Sequence, residues 1–140
     1  SKYSILSNRA ELLIKKLEIN QSEDYYYINS KDNNFPKNIE IIEGDFIKYD
    51  KKSLYLDKDQ LKFPLKIRKW NKGDYIYPTA MNGKKLVSKI FKDKKLSLYD
   101  KATQWILEDN EHILWVIGIR FDKRKYMKAN SNFKISLIEN

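Results

Sequence analysis

The sequence predicts an α+β fold, a mostly antiparallel β-sheet module with two short helices. Short apolar segments that alternate with polar residues recur along the chain, and turn-forming residues separate them, as is typical of antiparallel strands. One segment, after Gly83, instead places its apolar residues on a single helical face. At 140 residues with 41% hydrophobic content, the chain can fold around a core. We expect one compact domain, with a β-rich part at residues 1–60 and a basic part of sheet and helix at residues 61–140.

The first sixty residues contain a series of strand-like segments. Alternating apolar residues predict a strand within residues 9–17, with a short helix as the competing prediction. Aromatic and isoleucine-rich segments predict a strand at residues 25–28 and a second that begins at Ile39 and ends at Gly44-Asp45, and Leu54 and Leu56 mark a third, short one. Turn-forming residues predict a loop at residues 30–38. Together these segments predict a β-meander.

The rest of the chain adds further strands around the helices. Leu65 and Ile67 predict a strand that runs into turn-forming residues at 71–74. Residues 105–107 and 113–117 are apolar and predict two strands joined by a polar hairpin turn. Alternating apolar residues at 133–137 predict the last strand.

The segment after Gly83 predicts an amphipathic helix that begins directly after that glycine. Its apolar residues share one side of a helical wheel: Leu86, Val87, Ile90 and Phe91. Its lysines occupy the other side: Lys84, Lys85, Lys89, Lys92 and Lys95. A second short helix is expected from Ser97 to Gln104, because Ser97 and Asp100 have the spacing of a capping box.

Positive charge is concentrated in residues 62–95. This quarter of the chain holds eleven basic and two acidic residues, a net charge of +9 that equals the charge of the whole chain. Such a concentration is typical of a surface that docks an acidic partner, and Lys and Arg bind polyphosphate backbones through counterion release. A solvated helix face is the alternative. A second basic cluster follows at residues 120–125, and the two would form one surface if they pack together. The candidate RNA-binding residues are Lys66, Arg68, Lys69, Lys72, Lys84, Lys85, Lys89, Lys92, Lys95, Arg120, Lys123 and Arg124.

Three aromatic residues lie among these basic ones, namely Trp70, Tyr75 and Tyr77. Their rings have the chemistry to stack on unpaired bases. The alternative is that they are buried or half-buried residues of the sheet.

Residues that carry chemistry are sparse. Cysteine is absent, and the single histidine, His112, has no second histidine with which to hold a metal ion. The four glycines are isolated, so none belongs to a phosphate-binding glycine-rich loop. Asp109 and Glu111 beside His112 are better explained as a polar turn than as an acid–base pair. We expect no catalytic residue, no metal site and no cofactor in this chain.

The expected cellular location follows from two features that the sequence does not contain, a membrane span and a signal peptide. No apolar run reaches the roughly 18 residues of a membrane span, and no signal peptide begins the chain. We therefore expect a cytoplasmic protein. The first residue is Ser1 and not methionine, which indicates a fragment of a longer protein.

Residues 61–125 carry an ordered set of motifs. They comprise an arginine before Gly-Asp, an aromatic-x-Pro, a Gly-Lys-Lys helix opening, an aromatic-x-Asp helix ending, and a Trp-Val-x-Gly-x-Arg-x-Asp-x-Arg run. Their residues are Arg68, Gly73, Asp74, Tyr77, Pro78, Gly83, Lys84, Lys85, Phe91, Asp93, Trp115, Val116, Gly118, Arg120, Asp122 and Arg124. In this order they resemble the C-terminal region of bacterial tRNA(Ile)-lysidine synthetases. The family often has proline at Ser97, arginine at Lys101, and Leu-Gly at Thr79 and Ala80.

The resemblance implies a role in tRNA modification. Members of the family carry an N-terminal ATP pyrophosphatase domain, whose Ser-Gly-Gly-x-Asp-Ser motif is absent here. That domain, a ligase, is expected to use ATP and L-lysine to convert the wobble cytidine of tRNA(Ile) to lysidine. The C-terminal region is expected to bind the acceptor stem and position the tRNA. It resembles a sheet-rich domain also found in the β subunit of phenylalanyl-tRNA synthetase.

The implied partners are therefore tRNA(Ile) and the N-terminal catalytic domain, and whether this fragment has any activity of its own stays open. The alternative is a protein-interaction module whose basic face docks on an acidic partner or on its own catalytic domain.

Overall fold

The computed structural model describes residues 25–28, 39–128 and 130–137, and within them it contains ten strands and two α-helices. The strands are β1 (Tyr25–Ile28), β2 (Ile39–Phe46), β3 (Ser53–Leu56), β4 (Leu65–Lys69), β5 (Tyr75–Ile76), β6 (Lys85–Leu86), β7 (Trp105–Glu108), β8 (Ile113–Val116), β9 (Arg120–Phe121) and β10 (Ser131–Leu137). The helices are α1 (Val87–Asp93) and α2 (Leu98–Ala102), and a 3-10 turn covers Lys58–Gln60. All strand pairs are antiparallel, so the predicted α+β class is confirmed.

The strands form three sheets whose order departs from the sequence order. A five-stranded sheet has the order β1-β4-β7-β8-β9, a three-stranded sheet has the order β2-β10-β3, and β5 pairs with β6. The predicted β-meander of the first half is therefore wrong. Strands β2 and β3 lie on either side of β10, where Ile135 is in register with both Ile41 and Leu54. Strands β2 and β3 are thus joined into one sheet by a strand that lies far from them in the sequence.

The five-stranded sheet separates two cores. On one face, Ile67, Leu107 and Trp115 pack with residues of the three-stranded sheet such as Leu54 and Phe133. On the other face, Ile106, Ile113 and Val116 of the sheet pack with apolar side chains of β5 and α1, namely Ile76, Val87, Ile90 and Phe91. Because both faces are covered, β8 is apolar throughout and β7 is apolar up to its last residue, Glu108, without alternation with polar residues.

Helix α1 begins later than predicted. The expectation of a helix starting directly after Gly83 is wrong, because Lys85 and Leu86 first pair with β5. The helix then begins at Val87, whose amide donates to the Asp74 carbonyl at 2.9 Å. Leu86, predicted to face the core, is 49% exposed, whereas the other three apolar residues of the predicted face are buried.

The remaining boundaries follow local chemistry. Strand β2 ends at Phe46, one residue beyond the predicted end at Gly44-Asp45, and Phe46 is in register with Ser131 of β10. The predicted capping box begins α2, where the Ser97 hydroxyl accepts a hydrogen bond from the Asp100 amide at 3.0 Å. This helix ends at Ala102, short of the predicted Gln104. The segments predicted at residues 9–17 and 30–38 lie outside the described residues.

Candidate nucleic-acid interface

The lysines around α1 lie in four settings and do not form one helical row. Lys84 precedes β6, Lys85 lies in β6, and the lysines at positions 89 and 92 project from the helix, while Lys95 follows it. All are exposed except Lys85, which is half-buried and binds the Asp93 carboxylate. The hydrogen bond from Lys85 lowers the pKa of Asp93, and the nearby ammonium groups of α1 add to this effect. The one acid of this segment is therefore neutralised by Lys85.

A Schellman motif ends α1. The amide of Lys95 donates to the Lys92 carbonyl, and the amide of Leu96 donates to the Phe91 carbonyl, both at 3.0 Å. Lys95 has a φ of +55°, in the left-handed region that favours glycine. Leu96 packs against the second core, which fixes the chain after the helix.

Asp122 fastens residues 77–81 to the end of β9. Its side chain is buried and accepts hydrogen bonds from the Tyr77 amide at 2.7 Å and from the Arg124 guanidinium, at 2.9 Å for Nη2. Further bonds run from the Thr79 amide to the Phe121 carbonyl and from the Lys123 amide to the Tyr77 carbonyl. The second basic cluster therefore packs against the loop that precedes β6.

An exposed lysine and a half-buried arginine both contact the ring of Tyr75, which is 37% exposed. The Lys84 ammonium lies 4.6 Å from the centroid of this ring, and the Arg124 guanidinium carbon lies 5.7 Å from it. Arg124 also covers Tyr77 at 4.6 Å. All three distances are within the range of a cation–π contact. The two basic clusters are thus adjacent at Lys84 and Arg124.

Trp70 serves the core, which was the alternative to base stacking. Its indole Nε1 donates to the Lys101 carbonyl at 2.7 Å, and its ring packs edge-on against Phe91 at 4.8 Å.

Arg68 is engaged in a half-buried ion-pair network. Its guanidinium makes two hydrogen bonds to Asp74, at 2.9 and 3.0 Å, and one to Glu108 at 3.1 Å. Burial disfavours the charged guanidinium, but the hydrogen bonds to these carboxylates outweigh burial and raise the pKa of Arg68. Asp74 also accepts from the Asn71 amide. The pair therefore holds the turn at residues 71–74 against the sheet.

The remaining candidates also contact the protein, with one exception. Lys66 lies over Tyr25 at 4.3 Å, and Lys69 lies over Trp105 at 4.4 Å. Lys69 further donates to the carbonyl of residue 102. Carbonyl oxygens of residues 79 and 81 accept from the basic groups of residues 120 and 123. Lys72 is exposed in its turn.

The region around His112 is a polar turn, as predicted. Buried Asp109 accepts hydrogen bonds from the amides of Lys62, Glu111 and His112 and from the Lys125 ammonium. Burial disfavours its ionised form, but these donors together lower the pKa of Asp109. His112 Nδ1 lies 3.0 Å from the Arg124 guanidinium. Over residues 25–28, 39–128 and 130–137, no group of three or more potential ligands could hold a metal ion.

The motifs that occupy these positions match a known family. The family model described as the TilS substrate C-terminal domain matches residues 65–137, just over half of the chain. The chain belongs to this family. The resemblance drawn from the motifs at residues 61–125 is thereby confirmed.

Relatives of this TilS C-terminal domain are larger proteins. A tRNA(Ile)-lysidine synthase of Parabacteroides distasonis is 42% identical over 85 residues, covering 60% of this chain and 19% of that protein. A tRNA(Ile)-lysidine synthase of Bacteroides thetaiotaomicron is 40% identical over 75 residues, covering 54% of this chain and 18% of that protein. The chain therefore spans about a fifth of the length of these curated relatives.

The fold is likewise that of a TilS C-terminal domain. A crystal structure of a TilS C-terminal domain superposes with a TM-score of 0.58 at 22% identity, covering 75% of this chain and 88% of that chain. This match confirms the sheet architecture. Across the described residues, no helix is long and apolar enough to cross a membrane.

One departure from the TilS family pattern has a structural consequence. The motif resemblance pairs Ala80 with a glycine, and the φ of Ala80 is +62°. A glycine adopts this left-handed conformation without steric cost, whereas an alanine does not. The loop therefore keeps a glycine-like backbone with a side chain added.

Two basic residues that sequence reasoning missed lie outside the matched family segment. Lys51 and Lys52 line a cavity of about 370 Å³ together with Thr79 and Arg120. They follow Asp50 in a stretch whose acids balance its lysines, so local net charge gave no signal. Only the fold brings them to β9.

Proposed function

We propose that this TilS C-terminal domain binds tRNA(Ile) and positions it for a catalytic domain of a tRNA(Ile)-lysidine synthase. In this proposal the catalytic domain uses ATP and L-lysine, and this domain contributes binding, with the acceptor stem as its contact. Membership of the TilS substrate C-terminal domain family supports the proposal, as do relatives named tRNA(Ile)-lysidine synthase.

The observation that carries the proposal is the unbalanced charge of residues 84–95. This segment contains six lysines and one acid, and Asp93 is already bound by Lys85. The other five lysines of the segment are exposed and form no ion pair with a carboxylate among the described residues. They are Lys84, Lys89, Lys92, Lys94 and Lys95. Five ammonium groups on twelve residues repel one another unless an anion lies across them. An RNA backbone supplies such an anion and releases its counterions on binding.

The packing of α1 suits this role. Val87 and Phe91 are fully buried and Ile90 nearly so, so the helix is anchored to the five-stranded sheet through its apolar face. Lys89 and Lys92 therefore project from a fixed backbone. Duplex RNA is recognised largely through its shape, phosphates and 2′-hydroxyls, and lysine offers a point charge suited to phosphate. A patch rich in lysine fits this kind of contact.

The other charged clusters support a binding role over a catalytic one. The carboxylates that contact Arg68 and those of the Asp109 turn are taken up by internal hydrogen bonds. These groups hold turns in place, and we infer that the chemistry belongs to the catalytic domain.

Fluorescence anisotropy with two labelled RNAs tests the proposal. The RNAs are an acceptor-stem minihelix and an anticodon hairpin of tRNA(Ile), titrated at several salt concentrations. We expect the minihelix to bind more tightly, with affinity falling steeply between about 50 and 200 mM salt. The double variant Lys89→Gln with Lys92→Gln should lower the slope of log K against log salt by about 1.5, because two phosphate contacts are lost.

The matched control changes Lys48 and Lys128 to glutamine, since both are exposed and lie away from α1 in the sequence. Equal losses of RNA affinity in the two double variants would mean that binding depends only on the net charge of the protein, and the proposed contact surface would be rejected. If the wild-type chain binds neither RNA, the tRNA-binding proposal fails and docking on a protein becomes the better explanation.

A further inference from the structure

We propose that Lys51, Lys52 and Arg120 form a second phosphate-binding subsite, which holds the RNA backbone beside Thr79 of the 77–81 loop. This inference rests on the proposed function, because it assigns further contacts to the same RNA. It concerns residues of which two, Lys51 and Lys52, lie outside the segment that the family model matches.

The composition of the cavity favours an anion. Its lining contains three cations, no carboxylate and the polar side chain of Thr79. Its apolar wall includes Phe121 and Leu137, and its volume of about 370 Å³ leaves room for a phosphodiester with its ribose. Among the described residues, neither Lys51 nor Lys52 forms an ion pair with a carboxylate. The nearest acid in the chain, Asp50, accepts hydrogen bonds from Ser53, Tyr55 and the Lys52 amide instead.

A second cleft in the same protein has a lining whose cations are paired with carboxylates. About 260 Å³ in volume, it is lined by Arg68 and Arg124 but also by four carboxylates, those of Asp74, Glu108, Asp109 and Glu111. Its two arginines are bound to carboxylates. An anion would have to displace these bonds, whereas the cavity at Lys51 offers cations that are not bound to acids.

Arg120 is held in an orientation that leaves donors available. One Nη2 hydrogen bond to the Thr79 carbonyl is its contact among the described residues. A guanidinium has five N–H donors in a planar fork, and the bond to Thr79 uses one of them. The bond to Thr79 therefore orients a side chain that also lines the cavity.

The position of the cavity makes it a continuation of the first surface. Thr79 of the 77–81 loop lines it, and this loop is held at Met81 by Lys123 and at Tyr77 by Asp122. Two basic residues therefore contact this loop, Arg120 at the Thr79 carbonyl and Lys123 at the Met81 carbonyl. The cavity is thus adjacent to the loop that the second basic cluster contacts.

The test compares two pairs of lysines in the full 140-residue chain. Binding of the acceptor-stem minihelix is measured across salt for wild type, Lys51→Gln with Lys52→Gln, and the control pair at Lys48 and Lys128. We expect the first pair to weaken binding about five- to tenfold at low salt and to reduce the salt slope by about 1.5. Thermal unfolding should be unchanged, because all four side chains are exposed.

A second readout places the contact. With ¹⁵N-labelled protein, saturating minihelix should shift the amide resonances of Thr79 and Gly118, which line the cavity. If wild type binds but the Lys51 and Lys52 variant matches its control and these amides do not shift, the subsite is refuted while the proposed function stands. If wild type does not bind RNA at all, both are refuted together.

Discussion

Replacing Lys95 by glycine should strengthen the fold and weaken RNA binding at the same time. The φ of Lys95 is +55°, and a side chain in this left-handed region costs about 1–2 kcal/mol. Glycine removes that cost but loses more backbone freedom on folding, roughly 0.5–1 kcal/mol. The net gain in the free energy of unfolding should be about 0.5–1 kcal/mol, or roughly 2–4 °C in Tm for a chain of this size.

The neighbouring lysine is a close control for this experiment. Lys94 has a φ of −83° and a ψ of −6°, so glycine there removes the same charge without relieving strain. Lys94→Gly should therefore lower the free energy of unfolding by about 0.5–1 kcal/mol. Urea unfolding of both variants measures the two opposite changes.

The RNA arm of the experiment uses the same proteins. Loss of one phosphate contact at Lys95 should reduce the salt slope by roughly 0.7–0.9 in the more stable variant. A decrease in binding cannot then be attributed to unfolding. If Lys95→Gly destabilises the protein as Lys94→Gly does, the left-handed end of α1 is refuted. If stability rises and RNA affinity is unchanged, Lys95 is excluded from the interface.

Three further predictions address the loop and the buried carboxylates. Ala80→Gly should raise the free energy of unfolding by about 0.5–1 kcal/mol in urea, since φ is +62° there; a decrease would contradict the assigned backbone. Asp122→Asn should cost about 3 kcal/mol, because Arg124 then loses its buried partner, and a cost below about 1 kcal/mol would show that the pair does not fasten the loop. Because its folded-state pKa is lowered, Asp109 adds stability that is present above its unfolded pKa and lost as pH falls through its folded pKa. Urea midpoints of Asp109→Asn should therefore depend less on pH below about pH 4 than those of wild type, and parallel curves would refute this.

The sequence predicted local elements well and their partners poorly. The Ser97 cap, the β7–β8 hairpin and the buried side of α1 depend on residues close together in the chain, and the structure has all three. The pairing of β2 and β3 with β10 depends on contacts across the whole chain, for which periodicity carries no signal.

In the candidate interface, too, local features were predictable from the sequence and long-range contacts were not. Exposed lysines at positions 89, 92 and 95 follow from charge and periodicity. Whether a basic residue is free depends on acids that only the fold brings near it. Arg68 binds Glu108, 40 residues away in sequence, and Lys51 meets Arg120 across a cavity. Sequence could assign the charge of these residues but not their partners.

The place of β10 between β2 and β3 has a consequence for how the domain forms during synthesis. Ser53 and Ser136 share a hydrogen bond although they lie 83 residues apart. Strand β10 is the central strand of the three-stranded sheet and pairs with both β2 and β3. Closing so long a loop is slow, and strands β2 and β3 must wait with open edges until the last strand leaves the ribosome. A chain that stops before Ser131 would lack the central strand of that sheet. The three-stranded sheet can therefore form only after β10 has been translated.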